Sequence, residues 1–171
     1  MREQPLPSPD EFACCLRCDS PHATSALGER AATILRGGET VLLWGPLGAG
    51  KTLFAKGLCR GLGVTDEIVS PTFTLACRYE GRLVVHHLDF FRLDSEADLA
   101  EVGIDGVIEE VEGGNAVMVV EWPLLLLPLL PRRVELLAMP GPGEQERLWR
   151  ARGQPALPEP WRRLFAGGVP C

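Results

Sequence analysis

Apolar residues along the chain follow two rhythms. Leu27, Ala31, Ile34 and Leu35 recur at i, i+4, i+7 and i+8, which lays a hydrophobic stripe on one side of a helix. Gly37-Gly38 ends that helix, because glycine tolerates the left-handed backbone beyond a C-terminus. Thr40 to Trp44 is a short unbroken apolar run, the form of a buried strand. A glycine-rich segment from Gly45 to Gly50 follows. A second helix starts near Lys51, with Phe54, Leu58 and Leu62 on one face and Gly61 and Gly63 closing it. Thr72 to Tyr79 and Arg82 to Leu88 read as strands joined by a tight turn at Glu80-Gly81, which predicts antiparallel pairing. Ile104, Val107, Ile108 and Val111 return to helical spacing, up to Gly113-Gly114. Ala116 to Val120 is another buried strand. Val134 to Ala138 and Arg147 to Arg150 are weaker strand signals, parted by the turn Pro140-Gly141-Pro142-Gly143.

Strands alternating with helices predict an α/β fold with some antiparallel additions to the sheet. Residues 1–19, rich in Pro and Cys, read as a loose arm, residues 20–152 as the folded domain, and the Pro- and Arg-rich residues 153–171 as a tail with little regular structure.

With 171 residues, 46% of them hydrophobic and 23% charged, the chain has material for one core. That excludes a disordered, collagen-like or disulfide-held mini-protein. No apolar run reaches the roughly 20 residues of a membrane span; Val117 to Leu130 is interrupted by Glu121, Pro123 and Pro128. Met1 to Pro5 has no secretory apolar region, so the six cysteines read as reduced thiols of a cytoplasmic protein. The net charge is −6, and it is uneven: residues 1–131 hold 10 basic and 19 acidic side chains, residues 132–171 hold 7 and 4. Such a field suits neither DNA nor RNA bound unaided.

Gly45-Pro46-Leu47-Gly48-Ala49-Gly50-Lys51-Thr52 fits the phosphate-loop pattern G-x-x-x-x-G-K-[ST]. Only two of the 17 basic residues are lysines, so a chain of this composition matches by chance about 0.002 times. An apolar strand enters the motif and a helix leaves it, as the chemistry requires. The glycines let the backbone from Gly45 to Thr52 fold so that successive N–H groups turn inward on phosphates at the positive end of a helix. Lys51 would neutralise phosphate oxygens, and the Thr52 hydroxyl would hold Mg²⁺.

Such a site needs a carboxylate at the end of a neighbouring strand. Leu83 to Leu88 ends in Asp89 and Val117 to Val120 ends in Glu121, so each strand presents an acid. One would bind Mg²⁺ and the other orient the attacking water; local sequence leaves the assignment open. Ser70-Pro71-Thr72 reads as a turn that satisfies its own backbone, or as a segment offering a hydroxyl to the γ-phosphate. The guanine-reading N-K-x-D motif is absent, since Asn115 is the sole asparagine, and adenine follows by elimination. Cys15-x-x-Cys18 lacks a second zinc pair, and His86-His87 face opposite ways in a strand. Asp94 to Glu112 carries eight acids and no base, a solvated face or a docking surface for a basic partner. Trp122 reads as core packing that could also press on the nucleotide site.

Taken in order, Gly45–Thr52, Ser70-Pro71-Thr72-Phe73-Thr74-Leu75, His87-Leu88-Asp89-Phe90-Phe91-Arg92-Leu93, Gly103-Ile104 and Val120-Glu121-Trp122 resemble the TsaE family, also called YjeE. The resemblance runs from about Thr24 to about Arg150. It implies a P-loop NTPase-like three-layer α/β domain with a mixed, mostly parallel central sheet and antiparallel additions. It also implies an ATPase, active with its partners TsaB and TsaD, in forming threonylcarbamoyladenosine beside the anticodon of tRNAs reading ANN codons. Transferred residue by residue, it puts nucleotide contacts on Gly48 to Leu53, Mg²⁺ on Thr52 and Glu121, the water-orienting role on Asp89, and a γ-phosphate sensor at Thr72. Leu53 departs from the second Thr usual in the family, and Pro46 from a common Asp. Phe90-Phe91 stands where a pair including Tyr is usual.

Two other classes compete. A small-molecule kinase on the same loop would need an Arg-bearing lid, whereas Lys56, Arg60, Arg78, Arg82 and Arg92 are scattered between Lys51 and Glu121. A binding module would hold ATP without turning it over.

Overall fold

Thr40–Trp44 and Ala116–Glu121 are buried at every position, as befits strands covered on both faces. They are neighbours at the centre of a seven-stranded sheet. The structure, a computed structural model, describes residues 4–93 and 95–167. Its elements in chain order are β1 (Cys14–Cys18), α1 (Pro21–Ile34), β2 (Thr40–Trp44), α2 (Lys51–Gly61), β3 (Ala76–Tyr79), β4 (Val84–Asp89), α3 (Glu96–Val102), α4 (Ile104–Glu112), β5 (Ala116–Glu121), β6 (Arg133–Pro140), β7 (Arg147–Gln154) and α5 (Glu159–Ala166), with short 3₁₀ turns at Pro9–Glu11 and Leu124–Leu129. The strand order is β1-β7-β6-β2-β5-β4-β3. The four inner strands β6, β2, β5 and β4 run parallel. The flanking pairs β1·β7, β6·β7 and β3·β4 are antiparallel.

Helices cover both faces. Val41, Leu43, Val85, Val117 and Val119 meet α1, α2 and α5 through Leu27, Phe54, Leu58 and Trp161 on one side. Leu42, Leu88, Met118 and Val120 meet Leu99, Ile104 and Val111 of α3 and α4 on the other. Alternation along each strand produces this two-sided sorting. Ser20 caps α1, its hydroxyl accepting from Ala23 N at 3.2 Å, with Pro21 in the first turn. Helices α1 and α2 pack so closely that a Cβ on Gly57 would lie 2.1 Å from Ser25 O. That contact fixes the axis of α2, and with it the aim of the loop that precedes it.

Three expectations are corrected. The arm is not loose throughout: Leu16 and Cys18 enter the core, and β1 pairs with β7 over five residues, from Cys14 opposite Ala151 to Cys18 opposite Arg147. The tail holds α5, which buries Trp161, Leu164 and Phe165. The strand expected from Thr72 starts only at Ala76, because Leu75 takes a left-handed φ of 64° and its N–H donates to Pro71 O, closing a turn instead of extending the ladder. Asp94, first residue of the acidic segment, lies outside the described residues, and Gly103 (φ 74°) divides that segment into two helices.

Cys14, Cys18, Cys59 and Cys77 are free thiols, whereas Cys15 is disulfide-bonded, so the reading of all six as thiols does not hold. Cys15 is half-buried on an edge strand. Burial pushes the Cys18 thiol up to about 11 and Cys59 up to about 12, so neither supplies a thiolate at neutral pH. No helix among the described residues is long and apolar enough to cross a membrane.

Candidate active site

The loop from Gly45 to Gly50 joins the C-terminal end of β2 to the N-terminus of α2. Its shape depends on glycine at two points. Gly45 has φ 142°, and a Cβ there would lie 2.3 Å from Ala138 O in β6; Gly50 caps α2 with φ 97°. Both backbones lie where a side chain is strained. The loop curls so that Lys51, 4% exposed, donates from Nζ to Gly45 O at 2.8 Å and Pro46 O at 2.9 Å. The same ammonium lies 4.0 Å from the Trp122 ring centroid, a cation–π contact.

Strands β4 and β5 bring the two acids side by side, Asp89 opposite Glu121 in parallel register. Each carboxylate meets a hydroxyl. Thr52 Oγ1 donates to Glu121 Oε2 at 2.9 Å, and Thr72 Oγ1 donates to Asp89 Oδ2 at 2.6 Å. Asp89 Oδ1 also accepts from Phe91 N at 3.0 Å, and Ser70 Oγ lies 2.9 Å from Thr72 Oγ1. Burial raises the Asp89 carboxyl above its ordinary value and nearby Glu121 adds to the rise, against the lowering by the Thr72 and Phe91 hydrogen bonds. Glu121 and Asp89 are both 3% exposed.

Backbone strain brackets this pair. Trp122, directly after Glu121, has φ 57°, and Leu75, whose carbonyl accepts from Asp89 N at 3.0 Å, has φ 64°. Left-handed non-glycine residues cost about 1–3 kcal/mol each and concentrate at functional sites. Here the strain at Leu75 turns Thr72 onto Asp89.

A cleft of 280 Å³ is lined by Leu47 to Leu53, Thr72, Asp89, Phe91, Glu121 and Trp122. The predicted residues Gly48, Ala49, Gly50, Lys51, Thr52, Leu53, Thr72, Asp89 and Glu121 therefore share one space. Gly45 stands behind it as an acceptor for Lys51. An oxygen-only pair, one hydroxyl and one carboxylate, fits a hard divalent cation such as Mg²⁺, which takes few protein ligands. Across the loop a second hollow of 270 Å³ is lined by Pro21, Thr24, Gly48, Gly50, Leu53, Glu144, Gln145 and Arg147. Arg147 Nη2 donates to Gly48 O at 3.3 Å.

Sequence reasoning left three participants without a role in the site. Arg147 stood in a weak strand signal with no motif around it. Phe91 packs its ring 4.8 Å from that of Trp122, a tertiary contact with no local signature. His87 opens one of the family motifs but was given no role beyond facing away from His86. The two do face opposite ways, His86 to Glu110 at 2.7 Å and His87 to Glu121 at 3.0 Å.

Known proteins share this chain's sequence and fold. The model of the family described as "Threonylcarbamoyl adenosine biosynthesis protein TsaE" matches residues 18–147. The tRNA threonylcarbamoyladenosine biosynthesis protein TsaE of Treponema pallidum (strain Nichols) is 44% identical over 109 residues, 63% of this chain and 78% of that protein. The protein of the same name from Bacillus subtilis (strain 168) is 36% identical over 132 residues, 77% of this chain and 80% of that protein. The crystal structure of Bacillus subtilis YdiB superposes with a TM-score of 0.66 at 28% identity, covering 88% of this chain and 89% of that one. A phosphate loop facing two strand-end acids, set in a sequence and fold shared with these proteins, makes this chain a member of the TsaE family of tRNA threonylcarbamoyladenosine biosynthesis proteins.

Proposed function

We propose that the chain is a Mg²⁺-dependent ATP hydrolase of the cytoplasm. Its turnover, completed by TsaB and TsaD, serves formation of the threonylcarbamoyl group on the adenosine beside the anticodon in tRNAs reading ANN codons. The observation that carries the reading is the convergence of the Thr52–Glu121 and Thr72–Asp89 pairs on the cleft lined by the loop.

The amides of Gly48 to Leu53 face the phosphates at the start of α2, where the helix dipole favours negative charge. Lys51 exchanges its carbonyl partners for phosphate oxygens. Thr52 and Glu121 would hold Mg²⁺, which when bound neutralises charge on the β- and γ-phosphates. Asp89 orients the attacking water, and Thr72, bonded to it, senses the γ end. The hollow beside Arg147 takes the nucleoside. Leu47 and Phe73 stand 75% and 86% exposed next to this machinery, and exposed apolar side chains beside a site suit a partner's surface. A net charge of −6 fits a subunit that leaves tRNA to its partners.

The test is phosphate release from labelled ATP, with and without TsaB, TsaD and tRNA. Release that appears with the partners supports the reading. A labelled metabolite would instead identify a small-molecule kinase, and no release even with the partners a binding module. Titration calorimetry of Glu121→Ala checks the metal assignment, because retained Mg²⁺-dependent affinity for ATP would remove Glu121 from it.

A further inference from the structure

His87 stands in β4 two residues before Asp89, so the two side chains leave the sheet on one face. The register sets His87 beside Val119 and Asp89 beside Glu121, which places the imidazole diagonally behind Glu121, within reach of a long side chain. The ring is fully buried. Its Nε2 lies 3.0 Å from Glu121 Oε1, and its Nδ1 has no hydrogen-bond partner. A carboxylate oxygen only accepts, so the proton between the two groups sits on Nε2. A ring needed for packing alone has no use for two nitrogens, and a bare buried nitrogen is unfavourable. The half of the ring that is satisfied is the half that touches Glu121.

We infer that His87 is a positioning residue for the divalent-cation site. Its Nε2–H fixes Oε1 of Glu121, which leaves Oε2 turned toward Thr52 Oγ1, 2.9 Å away. A glutamate on this strand end, freed of the ring, samples several rotamers, and only some of them present an oxygen to Thr52. The role rests on the reading of Thr52 and Glu121 as the metal-holding pair. It makes His87 part of the site although it does not line the cleft.

The experiment measures Mn²⁺ binding by electron paramagnetic resonance in the presence of ADP, and ADP binding by calorimetry in EDTA. His87→Leu should weaken Mn²⁺ about 10–100-fold, the usual effect of losing a residue that orients a metal ligand. ADP affinity in EDTA should stay unchanged. His87→Gln, whose amide N–H reaches about as far as Nε2, should restore most of the Mn²⁺ affinity. Nitrogen-15 NMR of histidine-labelled wild type, which needs no variant to fold, should show the His87 proton on Nε2. Wild-type Mn²⁺ affinity in His87→Leu, a glutamine variant as weak as the leucine one, or a proton on Nδ1 each overturns the role. Two results separate it from the reading beneath it. If wild type binds Mn²⁺ with ADP, Glu121→Ala does not and His87→Leu does, the positioning role alone falls. If Glu121→Ala binds Mn²⁺ as well as wild type, the metal reading falls and takes the role of His87 with it.

Discussion

Glu135 tests how the loop is anchored from behind. Its side chain is 2% exposed, on the sheet face away from α1 and α2, and it accepts from Trp44 Nε1 at 2.9 Å, Arg133 Nε at 2.9 Å and Arg152 Nη2 at 2.8 Å. Trp44 is the last residue of β2 and Gly45 the first of the loop, so this carboxylate holds the strand from which the loop springs. Glu135→Gln keeps the volume but offers one acceptor oxygen where two served three donors, and it removes the charge that balances two guanidinium groups. Breaking a buried ion pair from one side costs about 3–5 kcal/mol. The lower end applies here, because Arg152, 22% exposed, keeps its pair with Glu11, and Arg133 keeps a bond to Leu130 O at 2.6 Å. A loss of about 3 kcal/mol in a domain of this size lowers Tm by roughly 6–12 °C. Urea unfolding followed by tryptophan fluorescence, together with a thermal melt, measures both quantities. ADP affinity should weaken without disappearing. A destabilisation below about 1 kcal/mol would show that the carboxylate is already compensated without its charge and would refute the reasoning.

Lys51→Ala should abolish nucleotide binding, measured by calorimetry, while the apo fold still melts cooperatively. Thr72→Val removes the 2.6 Å donor that favours ionised Asp89. If ionised Asp89 orients the water, activity rises with pH as Asp89 loses its proton, so this variant should move the acid limb of the phosphate-release profile to higher pH. Asp89→Ala should bind ATP and fail to turn it over; normal hydrolysis with partners present would remove Asp89 from the mechanism. Because burial raises Asp89, the folded chain holds that proton more tightly than the unfolded one. Its contribution to stability is full below the ordinary value of 3.8 and is lost as pH rises through the raised value. Urea unfolding of wild type and Asp89→Asn across that window should show the wild type losing stability relative to the variant as pH rises.

The phosphate loop, the acids at two strand ends and the alternation of strands with helices are local facts. Glycine spacing, an apolar run and its terminal charge are written within a few residues, so they were legible before any folding was considered. Helix α5 was not read from the sequence, because the prolines around it argued for an irregular tail; Trp161, Leu164 and Phe165 nonetheless keep helical spacing, and their burial outweighs poor local propensity. Strand β1 was not legible, because a short edge segment of three cysteines, one leucine and one arginine becomes a strand only where β7 supplies its hydrogen bonds. Neither was the partner of each acid. That Glu121 meets Thr52 and His87 while Asp89 meets Thr72 depends on the parallel register of β4 and β5 and on the left-handed turn at Leu75. Sequence by itself determined which chemical groups the protein owns and which strand or helix end carries each. Only the tertiary structure decided which of them touch, because a contact across 69 residues, as between Thr52 and Glu121, is set by strand order and helix packing rather than by any residue's own preference.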